Sequence, residues 1–170
     1  MSADRDEAVR RLDEWQRAVT DPGGQAAIPA APDSPYLASW LSTQERAFPG
    51  WAARYGAGAE WDFSAASTGP LAASVFTNAA SGADLLAPGR AEFAECAAWY
   101  WGEVLRRTAA PVARWRYTAG ERDGHSPFRG HCWVEREDTS ASYTPLLNLA
   151  RMLDLADPHH LGHLLAAWLV

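Results

Sequence analysis

The sequence contains no lysine, and all fifteen cationic side chains are arginines. This absence excludes chemistry that needs a primary amine, such as a Schiff-base lysine, a phosphate-loop lysine or a serine–lysine dyad. The chain also has a single isoleucine, Ile28, and is rich in alanine, a composition typical of a high-GC genome. We therefore interpret the missing lysine as genomic in origin, not functional.

Cysteine is scarce as well, with only Cys96 and Cys132 in the chain. Two thiols are too few for a disulfide-stabilised fold, or for a structural zinc site made of cysteines alone. No apolar run reaches the roughly 18 residues that a membrane span needs, and the charged start, MSADRDE, is unlike a signal peptide. We therefore expect a cytoplasmic protein with reduced thiols and no membrane association.

The charge balance is acidic, with a net charge of −6 and a pI near 5.3. Nucleic-acid-binding proteins usually present a basic patch, so we expect no nucleic-acid partner. The hydrophobic fraction of 48% argues against disorder. We predict a single domain over residues 1–170, in which 1–33 form an N-terminal helix and an Ala/Pro-rich connector and 34–170 form the core.

Hydrophobic periodicity predicts about six helices in this chain. Helical spacing or helix-start signals occur in Asp4–Val19, from Ser34 to Phe48, after Ser64, in Ala91–Arg107, after Thr144-Pro145 and after Asp157-Pro158. A separate short turn is expected at Trp51–Tyr55. The last two helices form a C-terminal pair.

Between residues 112 and 137 the apolar period changes to two, which indicates strands. Val112–Thr118 alternates between aromatic residues on one face and Arg114 and Arg116 on the other. His131–Glu137 is a second candidate strand, and pairing would place the two arginines near its glutamates. The predicted fold class is α+β: about six helices with one small antiparallel sheet, a hairpin near 112–137, before the C-terminal helix pair.

The helix Ala91–Arg107 is the most aromatic segment, and most of it has the profile of a buried helix. Its exception is a row of residues spaced three and four apart. The row consists of Glu92, Glu95, Trp99, Glu103 and Arg106. In one interpretation Trp99 packs over a neighbouring helix and is buried. In the other it is an exposed aromatic anchor for a partner, since Trp and Arg are enriched at interface hot spots.

Gly102 and Glu103 are unusual within this helix. A glycine inside a helix costs about 1 kcal/mol relative to alanine, so we expect a neighbouring element or a ligand to pack closely against Gly102. Glu103 pairs with an arginine one turn on, or, if it is buried under the sheet, needs hydrogen bonds or an arginine such as Arg114 or Arg116. No second carboxylate is spaced so that it could act with Glu103 as a general acid–base pair, and we assign no catalytic residue.

Three histidines near the C-terminus, His159, His160 and His163, have a spacing that suits a metal ion on one helix face. The core stripe of that helix leaves them facing outward, and only Asp154 and Asp157 are placed to complete a coordination sphere. We therefore expect surface histidines, with no metal and no cofactor.

The loop at residues 119–130 is long for a hairpin connection. It contains His125 and Arg129, so it is either a structural linker or a surface that contacts a partner. Ser126 beside His125 is no catalytic dyad, because adjacent side chains on an extended chain point apart. The same argument applies to His131 and the cysteine that follows it.

Three segments resemble small, uncharacterised actinobacterial domains: WDFSAAS at 61–67, WYWGEVLRR at 99–107 and WRY at 115–117. Those domains have a "DFS" helix start, a helix with aromatic-x-Gly-Glu-x-Leu and a Trp-containing strand, and similar domains are suspected immunity or accessory proteins. The chain departs from the pattern at Thr68, where leucine is usual, and at 109–111, where a Gly-Gly turn is usual. The resemblance implies the fold and an immunity-type role, but no activity and no site residue.

Two functional hypotheses follow. The first is a non-catalytic protein-binding domain of a bacterial cytoplasm, of accessory, regulatory or immunity type, whose partner is another protein or a second copy of the chain. The second is a small-molecule-binding or enzymatic domain with a pocket between helix 91–107 and the sheet. The candidate partner- or ligand-binding residues are Trp99, Glu103, Arg106, Arg114, Arg116, His125, Arg129 and His131.

Overall fold

The computed structural model describes residues 34–56, 58–122 and 126–170. Within these ranges the chain forms six helices and one three-stranded antiparallel sheet, so the predicted α+β class is confirmed, including the hairpin before a C-terminal helix pair. The predicted helix Asp4–Val19 and the connector that follows it lie outside the described residues.

The elements alternate between helices and one short run of strands. The helices are α1 (Pro35–Tyr55), α2 (Thr68–Asn78), α3 (Gly82–Leu85), α4 (Ala91–Thr108), α5 (Pro145–Leu155) and α6 (His160–Trp168). The strands are β1 (Ala113–Tyr117), β2 (Cys132–Arg136) and β3 (Ser142–Tyr143). In the described ranges no helix is both long enough and apolar enough to cross a membrane.

Helix α1 is longer than predicted. The Ser34 side chain accepts a hydrogen bond in the first turn, and Pro35 occupies the first helical position, as the sequence signals indicate. The predicted break after Phe48 is wrong, because Pro49 lies inside a continuous helix. Phe48 and Trp51, on either side of it, are both buried in the core, and this packing offsets the hydrogen bond that the proline cannot make.

The hairpin has the predicted pairing. β1 and β2 run antiparallel with Arg114 opposite Glu135, and β3 pairs with the other side of β2. Arg116 Nε lies 2.9 Å from Glu135, and Arg114 Nε lies 3.0 Å from Glu137, so the predicted charge pairing across the hairpin is confirmed. The aromatic face of β1 turns inward, and Trp115 is buried.

Helix α4 is the centre of the core and contacts α1, α5, β1 and β2. From Phe93 to Leu105 every residue is buried except Glu95, which is half-buried. Aromatic rings from α1 and α4 stack against one another, with the ring centroids of Phe48 and Tyr100 4.9 Å apart. The last two turns of α4 lie between α1 and β1, and they contribute charged side chains to the candidate site.

Candidate functional site

An open cleft with a volume of about 690 Å³ lies between α4 and β1, with α1 along its rim. Helix α4 contributes Trp99, Glu103 and two arginines, and β1 contributes Arg114 and Trp115. The cleft is at the location that the pocket hypothesis named, between helix 91–107 and the sheet. Of the eight candidate residues, four meet here: Trp99, Glu103, Arg106 and Arg114.

Glu103 is the most constrained group of the cleft, with only 5% of the residue exposed. Its Oε1 accepts hydrogen bonds from Arg106 Nε and Trp115 Nε1, both at 2.8 Å. Its Oε2 accepts from Arg106 Nη2 at 2.8 Å and from Arg107 Nε at 2.9 Å. Four N–H donors therefore compensate the loss of water around this buried carboxylate.

The environment of Glu103 fixes its charge. Burial acts to raise the pKa of the carboxyl, but the hydrogen bonds from Arg106, Trp115 and Arg107 outweigh burial and lower the pKa from 4.5 to about 2. The carboxylate therefore carries no proton at neutral pH. A group in this state holds its neighbours in place and does not serve as a general acid.

Arg106 and Arg107 are both anchored by Glu103 and remain partly exposed. Arg106 binds Glu103 through Nε and Nη2, and Arg107 binds it through Nε. The Arg107 guanidinium also lies over the Phe63 ring, 3.7 Å from its centroid, in a cation–π contact. The two side chains remain 36% and 45% exposed, so polar groups that Glu103 does not use face the cleft.

Trp99 is buried, with 5% of the residue exposed. Its ring packs against Phe48 and Phe63, with centroid distances of 5.4 and 5.9 Å. The interpretation of Trp99 as an exposed anchor is therefore wrong, and the interpretation that it packs beneath a neighbouring helix is confirmed. The charged row around it is covered only in part: Glu103 is buried and Glu95 is half-buried, whereas Glu92 is exposed.

Trp115 explains the glycine at position 102. A Cβ atom added to Gly102 would lie 2.0 Å from Cη2 and 2.2 Å from Cζ2 of the Trp115 indole. The expected close neighbour is therefore a strand residue. Because the glycine lets the indole approach α4, Trp115 Nε1 reaches the Glu103 carboxylate.

The other predicted candidates lie elsewhere. Arg116 pairs with two glutamates across the hairpin, and Arg129 is exposed in the loop before β2. His131 is buried, and its Nδ1 has no hydrogen-bond partner among the described residues. Burial, and then the positive charge of Arg122, lower the pKa of His131 to about 4. His125 lies outside the described residues.

The prediction that all three C-terminal histidines face outward is wrong for His160, which is buried where α6 begins against α5. Burial lowers its pKa, as does the nearby charge of Arg151. His159 and His163 are exposed. Across 34–56, 58–122 and 126–170, no group of three His, Cys, Asp or Glu side chains is arranged to hold a metal ion.

Seven of the eleven residues that line the cleft were absent from the predicted set, among them two that bind Glu103: Arg107 and Trp115. The position of Arg107, four residues after Glu103, is a recognisable ion-pair signal. Gly102 signals a bulky neighbour, but a single sequence does not reveal which aromatic residue fills the space.

No protein-family model, no curated protein and no solved structure matches this chain. The resemblance to actinobacterial accessory or immunity-type domains therefore remains a prediction based on three short segments. The functional argument depends on the geometry of the cleft.

Proposed function

We propose that this chain is a non-catalytic protein-binding domain of a bacterial cytoplasm, an accessory, regulatory or immunity-type protein that docks its partner at the cleft between α4 and β1. The observation that carries the proposal is the buried Glu103 carboxylate, which holds Arg106 and Arg107 at the cleft wall. Arginines that are fixed in position and still have free N–H groups are typical of recognition surfaces.

Stability alone is a weak reason for this arrangement. A buried ion pair loses its hydration, and replacing it by well-packed apolar residues is often neutral or stabilising. Glu103 and the two arginines therefore suit the specific placement of charged donors better than they suit packing. The positions of the donors would matter to a partner that binds in the cleft.

Fixed charges also favour binding over catalysis. Glu103 stays ionised, with its pKa near 2, and arginine does not release its proton in proteins. The two cysteines are not nucleophiles in this setting, because burial raises the pKa of Cys96 and of Cys132 to about 12. Neither of them lines the cleft.

A small-molecule-binding domain is the second candidate function. The volume of about 690 Å³ supports it, because ligand pockets commonly measure roughly 300 to 1,000 Å³. Such pockets usually enclose most of the ligand surface, whereas this cleft is open to solvent. The openness therefore favours a protein partner.

Site-specific photo-cross-linking in the native host tests the proposal. The photoreactive residue p-benzoylphenylalanine replaces Arg114 at the cleft edge, or Arg90 as a control. Both side chains are exposed arginines paired with a carboxylate, but Arg90 lies outside the cleft.

We expect a discrete protein adduct from position 114 and none from position 90, identified by mass spectrometry. An adduct with a second copy of the chain would identify the partner as the chain itself. If folded protein gives no adduct at position 114, or the same adducts at both positions, the proposal is wrong.

A further inference from the structure

We infer that the cleft recognises a carboxylate of its partner: an Asp or Glu side chain that is flanked by an apolar residue in an acidic segment. This inference rests on the proposed function and names the chemistry of the same site. It is carried by the N–H groups that remain on the two arginines, the net charge of the cleft wall and the apolar floor.

The free edges of the guanidinium groups match a carboxylate. Arg106 binds Glu103 along the edge formed by Nε and Nη2, which leaves the end formed by Nη1 and Nη2 available. Arg107 uses only Nε, and no other hydrogen bond engages its two terminal nitrogens in the described part of the chain. Each end is a planar fork of two N–H donors, the geometry that binds both oxygens of one carboxylate.

The forks are also held in place before any partner arrives. The Arg107 guanidinium is fixed by Glu103 at one nitrogen and by the Phe63 ring at its face. A side chain that is already ordered loses less conformational entropy on binding, so more of the interaction energy contributes to affinity. Such ordering is useful at this site, because the chain as a whole is acidic and does not attract anions from a distance.

The charge of the wall favours a carboxylate over a phosphate. Glu103 compensates one of the two α4 arginines, and Glu137 pairs with Arg114. About one positive charge therefore remains uncompensated on α4 itself, and Glu45 at the rim brings the cleft as a whole close to neutral. A singly charged ligand fits this balance better than a phosphate, whose charge approaches −2 at neutral pH.

The floor of the cleft is apolar. Its apolar lining includes Trp99 and Trp115, together with Leu41 of α1. An apolar side chain beside the acid would cover these surfaces while the carboxylate binds the arginines. The expected partner segment is therefore acidic and apolar in alternation, not a run of acids alone.

Peptide titration of the full chain, followed by the ¹⁵N–¹H signals of the arginine Nε–H groups, tests the inference. The probe is acetyl-(Leu-Glu)₃-amide, its matched control is acetyl-(Leu-Gln)₃-amide, and inorganic phosphate is the third ligand. We expect the glutamate peptide to shift the Arg106 and Arg107 signals, and the glutamine peptide to bind about tenfold more weakly.

Two variants locate the binding. Arg107→Gln should lower the affinity for the glutamate peptide by about tenfold. Arg90→Gln should leave its affinity unchanged, although the two arginines are equally exposed, at 45% and 44%. The comparison of the glutamate and glutamine peptides uses the unsubstituted chain, so the test remains valid even if Arg107→Gln does not fold.

The carboxylate inference is overturned if both peptides bind equally, if neither shifts the two signals, or if phosphate binds as tightly as the glutamate peptide. A cross-linked partner without peptide binding would retain the protein-binding function and reject the carboxylate. The absence of both would reject the function and the inference together.

Discussion

At the scale of single residues, Glu103 determines how the cleft is arranged. One buried carboxylate accepts four N–H groups from three side chains and so places two arginines and one indole. Since the donors are themselves partly covered, the loss of this acceptor would leave several polar groups without a partner. Its removal should therefore cost more than an ordinary surface ion pair.

We predict that Glu103→Gln lowers the free energy of unfolding by about 2 to 3 kcal/mol, because a neutral amide presents one acceptor oxygen and turns an NH₂ group toward cationic donors. Urea denaturation at pH 7 measures this. Glu45→Gln, at the exposed rim, is the control and should change stability by less than about 0.5 kcal/mol. Equal effects of the two substitutions would contradict the role given to Glu103.

His131 predicts a pH dependence of stability. Its pKa falls from 6.5 to about 4 on folding. Between these two pH values the imidazole is protonated in the unfolded chain and neutral in the folded chain. Stability contributed by the neutral imidazole is present above pH 6.5 and is lost as the pH falls toward 4. We expect His131→Leu to have a flatter stability profile over this range in urea titrations; a profile parallel to the parent's would refute the assignment.

Burial of individual residues was the least predictable property. The sequence placed Trp99 in a charged row and His160 on an outward face, yet both are buried. Periodicity shows which face of one helix is most apolar, but not how many other elements cover the rest. Gly102 was more informative, because the absence of a side chain indicates a close approach whatever the neighbour is.

At the scale of elements, local chemistry was enough for most of the fold. The alternation in β1 places Arg114 and Arg116 on one face, and this predicted the strand faces and the ion pairs with the glutamates of the second strand segment. β3 was missed, because two residues carry no measurable alternation. The break expected after Phe48 was wrong, since a local rule for proline does not include the burial of Phe48 and Trp51 in the shared core.

The contact between α4 and β1 predicts that alanine substitution changes the free energy of unfolding in opposite directions at two glycines. Gly102→Ala should lower the free energy of unfolding by about 1 to 3 kcal/mol, because the new Cβ would overlap the Trp115 indole. Gly50→Ala, inside α1 with nothing within 4 Å of the added atom, should raise it by up to about 1 kcal/mol.

Thermal or urea unfolding of both variants decides the matter. If Gly102→Ala is as stable as Gly50→Ala, the Trp115 indole does not pack against α4 as described. The hydrogen bond from Trp115 to Glu103, which depends on that packing, would then be contradicted as well.

At the scale of the whole molecule, the cleft exists because α1 lies against α4 and β1, two consecutive elements that are distant from α1 in sequence. The sequence indicated a pocket beside helix 91–107, since Gly102 and Glu103 pointed there. It did not indicate α1 as the third wall, because nothing in a local pattern specifies which helix packs over another. The positions of Phe63 and Arg107 follow from the same tertiary packing.

The most direct test of the central claim is the affinity of the cross-linked partner, purified and titrated calorimetrically against three forms of the chain. The account predicts that Arg107→Gln binds about tenfold more weakly than the parent, while Arg90→Gln binds as the parent does. If the parent and Arg107→Gln bind the partner with the same affinity, with both chains folded, the cleft is not the site at which this protein acts.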